Sequence, residues 1–251
     1  MKNSIYDYIQ SRAGEFIEIS DKIWEYAELS LNEYKSVECY LEFLKKEGFE
    51  IREQVANVPT AFAASYGTAS TLSNTVLERL IHKNLQTAPL PGYLPSDLDF
   101  AEAIHATYDC RDLPGTAPRF DWKVKKLVQE WTDNGSKAVN DFVMPYVPSD
   151  YMSAGSTDVG DVSWLTPTAQ FNAATWPSNC PGHSWQMVST GKTRFAHEAM
   201  LYAGTVLAMT AFDLMTDPAI LQEAKAEFAV TAAAGYDCPL EPDLVAQPAA
   251  I

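Results

Sequence analysis

An α/β domain is the fold class this sequence predicts. The chain opens with helix-periodic segments, these run into two short strand-like segments, and a further β-prone run precedes a long apolar helix. Its 251 residues, 47% of them apolar, suffice for a single large core, so the whole of 1–251 is read as one domain.

Phe16, Ile19, Ile23, Tyr26 and Ala27 recur at the three-and-four spacing of a helix face. A second helix spans Ser36 to Glu47, with Val37, Tyr40, Leu41 and Leu44 inward and Gly48 as its stop. Phe49 to Val55 alternates apolar and polar residues, and Ala61 to Tyr66 sets Phe and Tyr among small residues; both read as strands, separated by Pro59-Thr60. After Gly67 the polar run Thr68 to Asn74 marks a junction between 1–67 and 68–251, then leads into a helix from Thr75 to Thr87.

Pro89, Pro91 and Pro95 break the chain before Ser96-Asp-Leu-Asp99, which resembles a capping box and starts a helix through Tyr108. Asp109 to Phe120 is loop-like, and Phe120 to Thr132 forms a helix ended by Asn134-Gly135. Asp161 to Trp164 and Pro167 to Thr175 are β-prone and predict strand. Thr193 to Met215 is a long helix, and Asp217-Pro218 gives the cap and first position of a last helix through Ala233. The tail from Asp237 holds three prolines and is expected to lie loosely on the surface.

Charge excludes some partners. With 18 basic against 33 acidic residues, net −15, the chain repels nucleic acid and anionic membrane. The densest basic stretch, Lys123-Val-Lys-Lys126, reads as one solvated helix face. Cysteines 39, 110, 180 and 238 are far apart with no Cys-x-x-Cys, which predicts a reduced, cytoplasmic protein. Met1 to Gln10 lacks the apolar run of a signal peptide. The segment Phe195 to Met215 holds His197, Glu198 and Asp213, as expected for the helix of a soluble domain.

The chemistry concentrates in two glycine-bearing loops, Gly155 to Trp164 and Pro181 to Gln186. His183 sits between Gly182 and Ser184, where an imidazole can project from an uncrowded backbone. Cys180-x-x-His183 offers two soft donors, whereas a closed zinc site takes four protein ligands and an open catalytic one usually three. Asp158 and Asp161 could form paired carboxylates for acid and base work; equally, Ser156, Thr157 and Asp158 are good helix caps, and both readings stand. His82 and His105 lie in helices without an adjacent carboxylate and read as structural, and His197-Glu198 as helix-surface pairing. Nucleotide-binding glycine loops and the Gly-x-Ser-x-Gly elbow are missing.

Several phrases, in order, carry a resemblance: Ile23-Trp-Glu-Tyr-Ala-Glu-Leu29, Lys45-Lys-Glu-Gly-Phe-Glu50, Val58 to Gly67, Val147-Pro-Ser-Asp150 and the two loops above. Together they resemble metallopeptidase family 20, in its amidohydrolase branch of the aminobenzoyl-glutamate hydrolase type. The resemblance implies a zinc-peptidase-like three-layer α/β domain, a divalent pair of zinc or manganese, and hydrolysis of a small acidic amide. In such a site the metals polarise the carbonyl and acidify a bridging water whose proton a glutamate accepts.

On that resemblance His183 matches a metal ligand, and Ser156, Thr157 and Asp158 fall in the substrate-binding loop. The family's Cys-Gly-His loop, Glu-Glu pair and His-x-Asp have no match in the sequence, so no catalytic general base is identified. The chain is about half the family length, which implies an internal deletion, an incomplete mixed sheet and a missing lid or dimerisation domain. One imidazole supplies one ligand and cannot hold two metals.

Two readings follow: an amidohydrolase by descent, inactive alone, whose activity needs the missing segment from another chain such as a second hydrolase subunit or a differently assembled site using His183, Cys180, Asp158 or His197, or a non-catalytic remnant acting as a binding or partner subunit. Strands left without neighbours by such a deletion predict re-pairing or a homo-oligomer.

Overall fold

The computed structural model describes residues 2–29, 32–49, 72–109, 122–148 and 159–236. They form helices α1 (Lys2–Ser11), α2 (Ala13–Tyr26), α3 (Tyr34–Lys46), α4 (Thr75–Thr87), α5 (Pro95–His105), α6 (Trp122–Trp131), α7 (Val159–Ser163), α8 (Trp185–Thr190), α9 (Arg194–Thr216) and α10 (Pro218–Thr231). Short 3-10 turns follow α6 at Asp133–Gly135 and α10 at Ala232–Ala234.

Local chemistry explains the helix ends. The Thr193 hydroxyl accepts from Ala196 N to start α9, and the Asp217 carboxylate accepts from Ala219 N beside Pro218 to start α10. Asn74 caps α4 by accepting from Leu77 N, while its own amide donates to Ala224 O on α10 at 2.8 Å. Glu227 on α10 accepts from Thr75 N and Val76 N, so a carboxylate meets the positive end of α4. In α5 the helix begins at Pro95, one residue before the expected Ser96, and Asp97 accepts from Leu94 N at 2.8 Å.

The long helix α9 is the axis of the described body. Val206 and Met209 pack with Ile81 and Ala88 of the α4 region, joined by Ile5, Tyr6, Ala169, Phe171 and Tyr202. Nearer its start, Phe195 packs with Ala101, Ala138 and Val139, and stacks on Tyr93 at 4.8 Å between ring centroids. Helix α9 is long and apolar enough in composition to cross a membrane, but its buried face here is the protein core. At its far end Asp213 takes Lys2 of α1 at 2.7 Å and Asn84 of α4 at 3.0 Å, which ties the first helix to the core.

The expected α/β three-layer fold with a mixed sheet is not what forms: the described residues are helical, and none is in a strand. Asp161 to Trp164 contributes to the helical turn α7 instead of a strand. Pro167 to Thr175 is not helical, and only Ala169 to Asn172 keeps a period of two, with Ala169 and Phe171 packed on the core and Gln170 and Asn172 exposed. It lacks a ladder: among the described residues no backbone hydrogen bond joins Ala169 to Asn172 to another segment. Of the expected strand Phe49 to Val55 only Phe49 is described, and it is exposed; Ala61 to Tyr66, the junction at 68–71, most of the 109–120 loop and the tail from Asp237 lie outside the described residues.

Candidate functional site

His183 lies in the turn that leads into α8, with its backbone in the left-handed region at φ 56° and its side chain exposed. The loop is shaped by Ser184, whose hydroxyl donates to Pro181 O at 2.6 Å and accepts from Met187 N at 3.3 Å as the cap of α8. Behind it, Ser178 N donates to Ala138 O at 2.8 Å and Tyr108 OH donates to Ser178 O at 2.8 Å. Gln186 reaches back to Thr107 at 3.3 Å. His183 is thus presented on a braced loop.

Helix α2 braces the other side. Trp24 Nε1 donates to Val188 O at 3.2 Å, Glu25 pairs with Lys192, and Asp21 pairs with His197 at 2.7 Å. Asp21, Trp24 and Glu25 share one helix face at i, i+3 and i+4. The turn accepts this face because Gly191 has no side chain: a Cβ there would overlap the Trp24 indole.

The donor set does not fit a metal pair. Burial pushes the Cys180 thiol up, opposed by the Ser184 hydroxyl, which disfavours the thiolate a metal needs. Among the described residues no three His, Cys, Asp or Glu side chains gather where one ion could sit. Cys180 and His183 offer two donors between them, short of the three an open zinc site takes. Asp161, one half of the expected carboxylate pair, is buried and accepts from Tyr236 OH, with Trp164 stacked on the Tyr236 ring at 5.8 Å. The other half, Asp158, and the expected substrate residues Ser156 and Thr157 lie outside the described residues.

The remaining histidines are held structurally. His82 Nε2 contacts Met144 O at 2.9 Å, and His105 meets the Tyr108 ring edge-on at 5.5 Å while burial lowers its pKa. Glu198 pairs with Arg194 one turn earlier at 2.9 Å, as expected of a helix surface. His197 instead is buried, and its partner comes from α2.

A cleft of about 770 Å³, within the range of small-molecule sites, is not foreseen by the sequence. Its walls come from α4, the segment 140–147, the segment 170–176 and Tyr202 of α9, and His183 is not among its lining residues. Tyr146 OH donates to Glu78 in it at 2.9 Å. Burial first, with nearby Glu198, Asp141 and Asp97, pushes the Tyr93 phenol up to about 12, and burial alone pushes Tyr202 up to about 12, so both rings stay protonated. Phe142-Val-Met-Pro-Tyr-Val147, an apolar run interrupted by proline, is the one local signal of it.

The chain is similar to the B subunit of p-aminobenzoyl-glutamate hydrolase from Escherichia coli (strain K12), with 32% identity over 189 residues. The match covers 72% of this chain and 38% of that protein, so the chain spans less than two fifths of the curated relative. No family model matches, and no solved structure matches.

Proposed function

From its kinship with the B subunit of aminobenzoyl-glutamate hydrolase, whose resemblance to this chain is borne out, we propose an amidohydrolase-type polypeptide that does not cleave amides alone. The observation that carries the reading is 32% identity over 189 residues to a protein of which well over half has no counterpart here. Its reaction class is metal-dependent hydrolysis of a small acidic amide, and the described residues do not gather the groups that would hold the metals. A second hydrolase subunit is the natural source of that part. The free thiols of Cys39 and Cys180 accord with a cytoplasmic protein.

The donor set supports this reading. Burial pushes the Cys180 thiol up, and among the described residues His183 belongs to no group of three or more potential metal donors. The cleft at Glu78 and Tyr146 favours, as a second reading, a non-catalytic subunit that binds a small ligand or a partner.

The test is an assay of p-aminobenzoyl-glutamate cleavage by the purified chain with added zinc or manganese. The proposal expects no turnover above buffer. Turnover that disappears in His183→Ala, with the fold retained by circular dichroism, would overturn it.

A further inference from the structure

The cleft between α4, the segment 140–147 and the segment 170–176 has a lining that selects among ligands by charge. Ring faces dominate it, Phe142, Tyr146, Phe171 and Trp176 among them, and no lysine or arginine belongs to the lining among the described residues. Glu78 is the carboxylate of that lining, half-buried and accepting from Tyr146 OH at 2.9 Å. Arg79, next in sequence, stays outside: its guanidinium sits over the Tyr146 ring at 6.0 Å from the centroid and helps to hold the Glu227 carboxyl down. Around Tyr93 the field is negative too, since Glu198, Asp141 and Asp97 add to burial in raising its phenol. Those three carboxylates have cations of their own in Arg194 and Lys137, whereas Glu78 has no ion pair among the described residues.

We propose that this cleft binds an organic ammonium ion, its positive nitrogen set against Glu78 and the aromatic faces and its apolar body along the rest of the wall. A cation is drawn to the face of an aromatic ring, and more strongly where both are partly out of water. Glu78 supplies the counter-charge, and the net charge of −15 draws cations toward the chain as a whole. The cleft, at about 770 Å³, has room for more than an ammonium head. An anion would meet the Glu78 carboxylate with no lysine or arginine in the lining to hold it, so the same walls reject it. The small acidic amide of the hydrolase reading is therefore not the ligand of this cleft. The proposal rests on the second reading above, a subunit that binds a small ligand here, and names the class of that ligand.

The experiment is isothermal titration calorimetry of the full chain at about pH 8, above the ordinary histidine range. Three probes share a benzene ring and differ in charge: benzyltrimethylammonium, benzyl alcohol and benzoate. The ammonium is expected to bind about tenfold tighter than the alcohol, and benzoate is expected not to bind. Glu78→Gln keeps the size of the side chain and an oxygen for Tyr146 OH but removes the charge, so the advantage of the ammonium should drop by about threefold or more. Raising sodium chloride from about 50 to about 500 mM should weaken the ammonium and leave the alcohol unchanged; this series decides if Glu78→Gln fails to fold. Benzyl alcohol or benzoate binding as tightly as the ammonium overturns the proposal and leaves the ligand-binding reading standing. So does ammonium binding that is indifferent to salt, or to Glu78→Gln with unchanged circular dichroism. If none of the three probes binds, both fall.

Discussion

His197 Nε2 lies 2.7 Å from Asp21 Oδ1, so a buried imidazole in α9 is paired with a carboxylate from α2, 176 residues earlier in the chain. With Trp24 on Val188 and Glu25 on Lys192, it docks the N-terminal helices onto the turn that follows the His183 loop.

Removing one partner leaves the other underpaired in a half-dry site. His197→Ala is expected to cost about 1–3 kcal/mol, the range for an orphaned buried polar group. Asp21→Asn, which keeps a hydrogen-bonding oxygen, should cost less. Urea denaturation of both variants checks this, and a midpoint for His197→Ala equal to that of the native chain would refute it.

Gly191 is required by space. Gly191→Ala places a methyl group inside the Trp24 indole contact, and an overpacked contact of this kind costs about 1–3 kcal/mol. Because the clash is with one side chain, the effect should shrink in a Trp24→Ala background. A double-mutant cycle measures this coupling, and strict additivity would mean that the two residues do not touch.

Acid should unfold the chain through two carboxylates. Burial pushes Asp213 up, but Lys2 and Asn84 outweigh it and hold its pKa below the ordinary value; burial likewise opposes the Thr75 and Val76 N–H groups that hold Glu227 down. A carboxyl whose folded pKa is depressed contributes stability that is present above its unfolded pKa, about 4, and is lost as pH falls through the lower folded value. Stability should therefore decline below about pH 4 as these groups take up protons. In Asp213→Asn and Glu227→Gln that acid decline should be shallower, although both start less stable at pH 7. Thermal melts from pH 7 down to pH 3 follow it, and parallel curves for native and variant proteins would speak against the assignment.

Helices are legible in the sequence because their signals are local. Asp217-Pro218 marks the start of α10, and Gly48 with φ 84° follows the end of α3. The first helix, Lys2 to Ser11, carries no such signal, since it holds its place through Lys2 meeting Asn84 and Asp213 from distant segments.

The expected sheet fails for a physical reason. Alternation at 169–172 is a property of one segment, whereas a strand needs a second one hydrogen-bonded to it, and among the described residues no backbone hydrogen bond joins 169–172 to another segment. His197 reads as a surface residue in the sequence because its partner is far away along the chain, and the cleft is hidden there because its walls come from segments between Glu78 and Tyr202. The kinship is legible because it rests on ordered phrases of sequence, which do not need the fold to be right.

The most direct test of the central claim, that the described residues do not gather the donors for the metal pair the resemblance implies, is metal stoichiometry. The purified chain is equilibrated with zinc, dialysed and analysed by plasma emission, beside His183→Ala. The account predicts well below one zinc per chain, with no difference between the two proteins. Two tightly held zinc ions per chain, lost in His183→Ala, would contradict it.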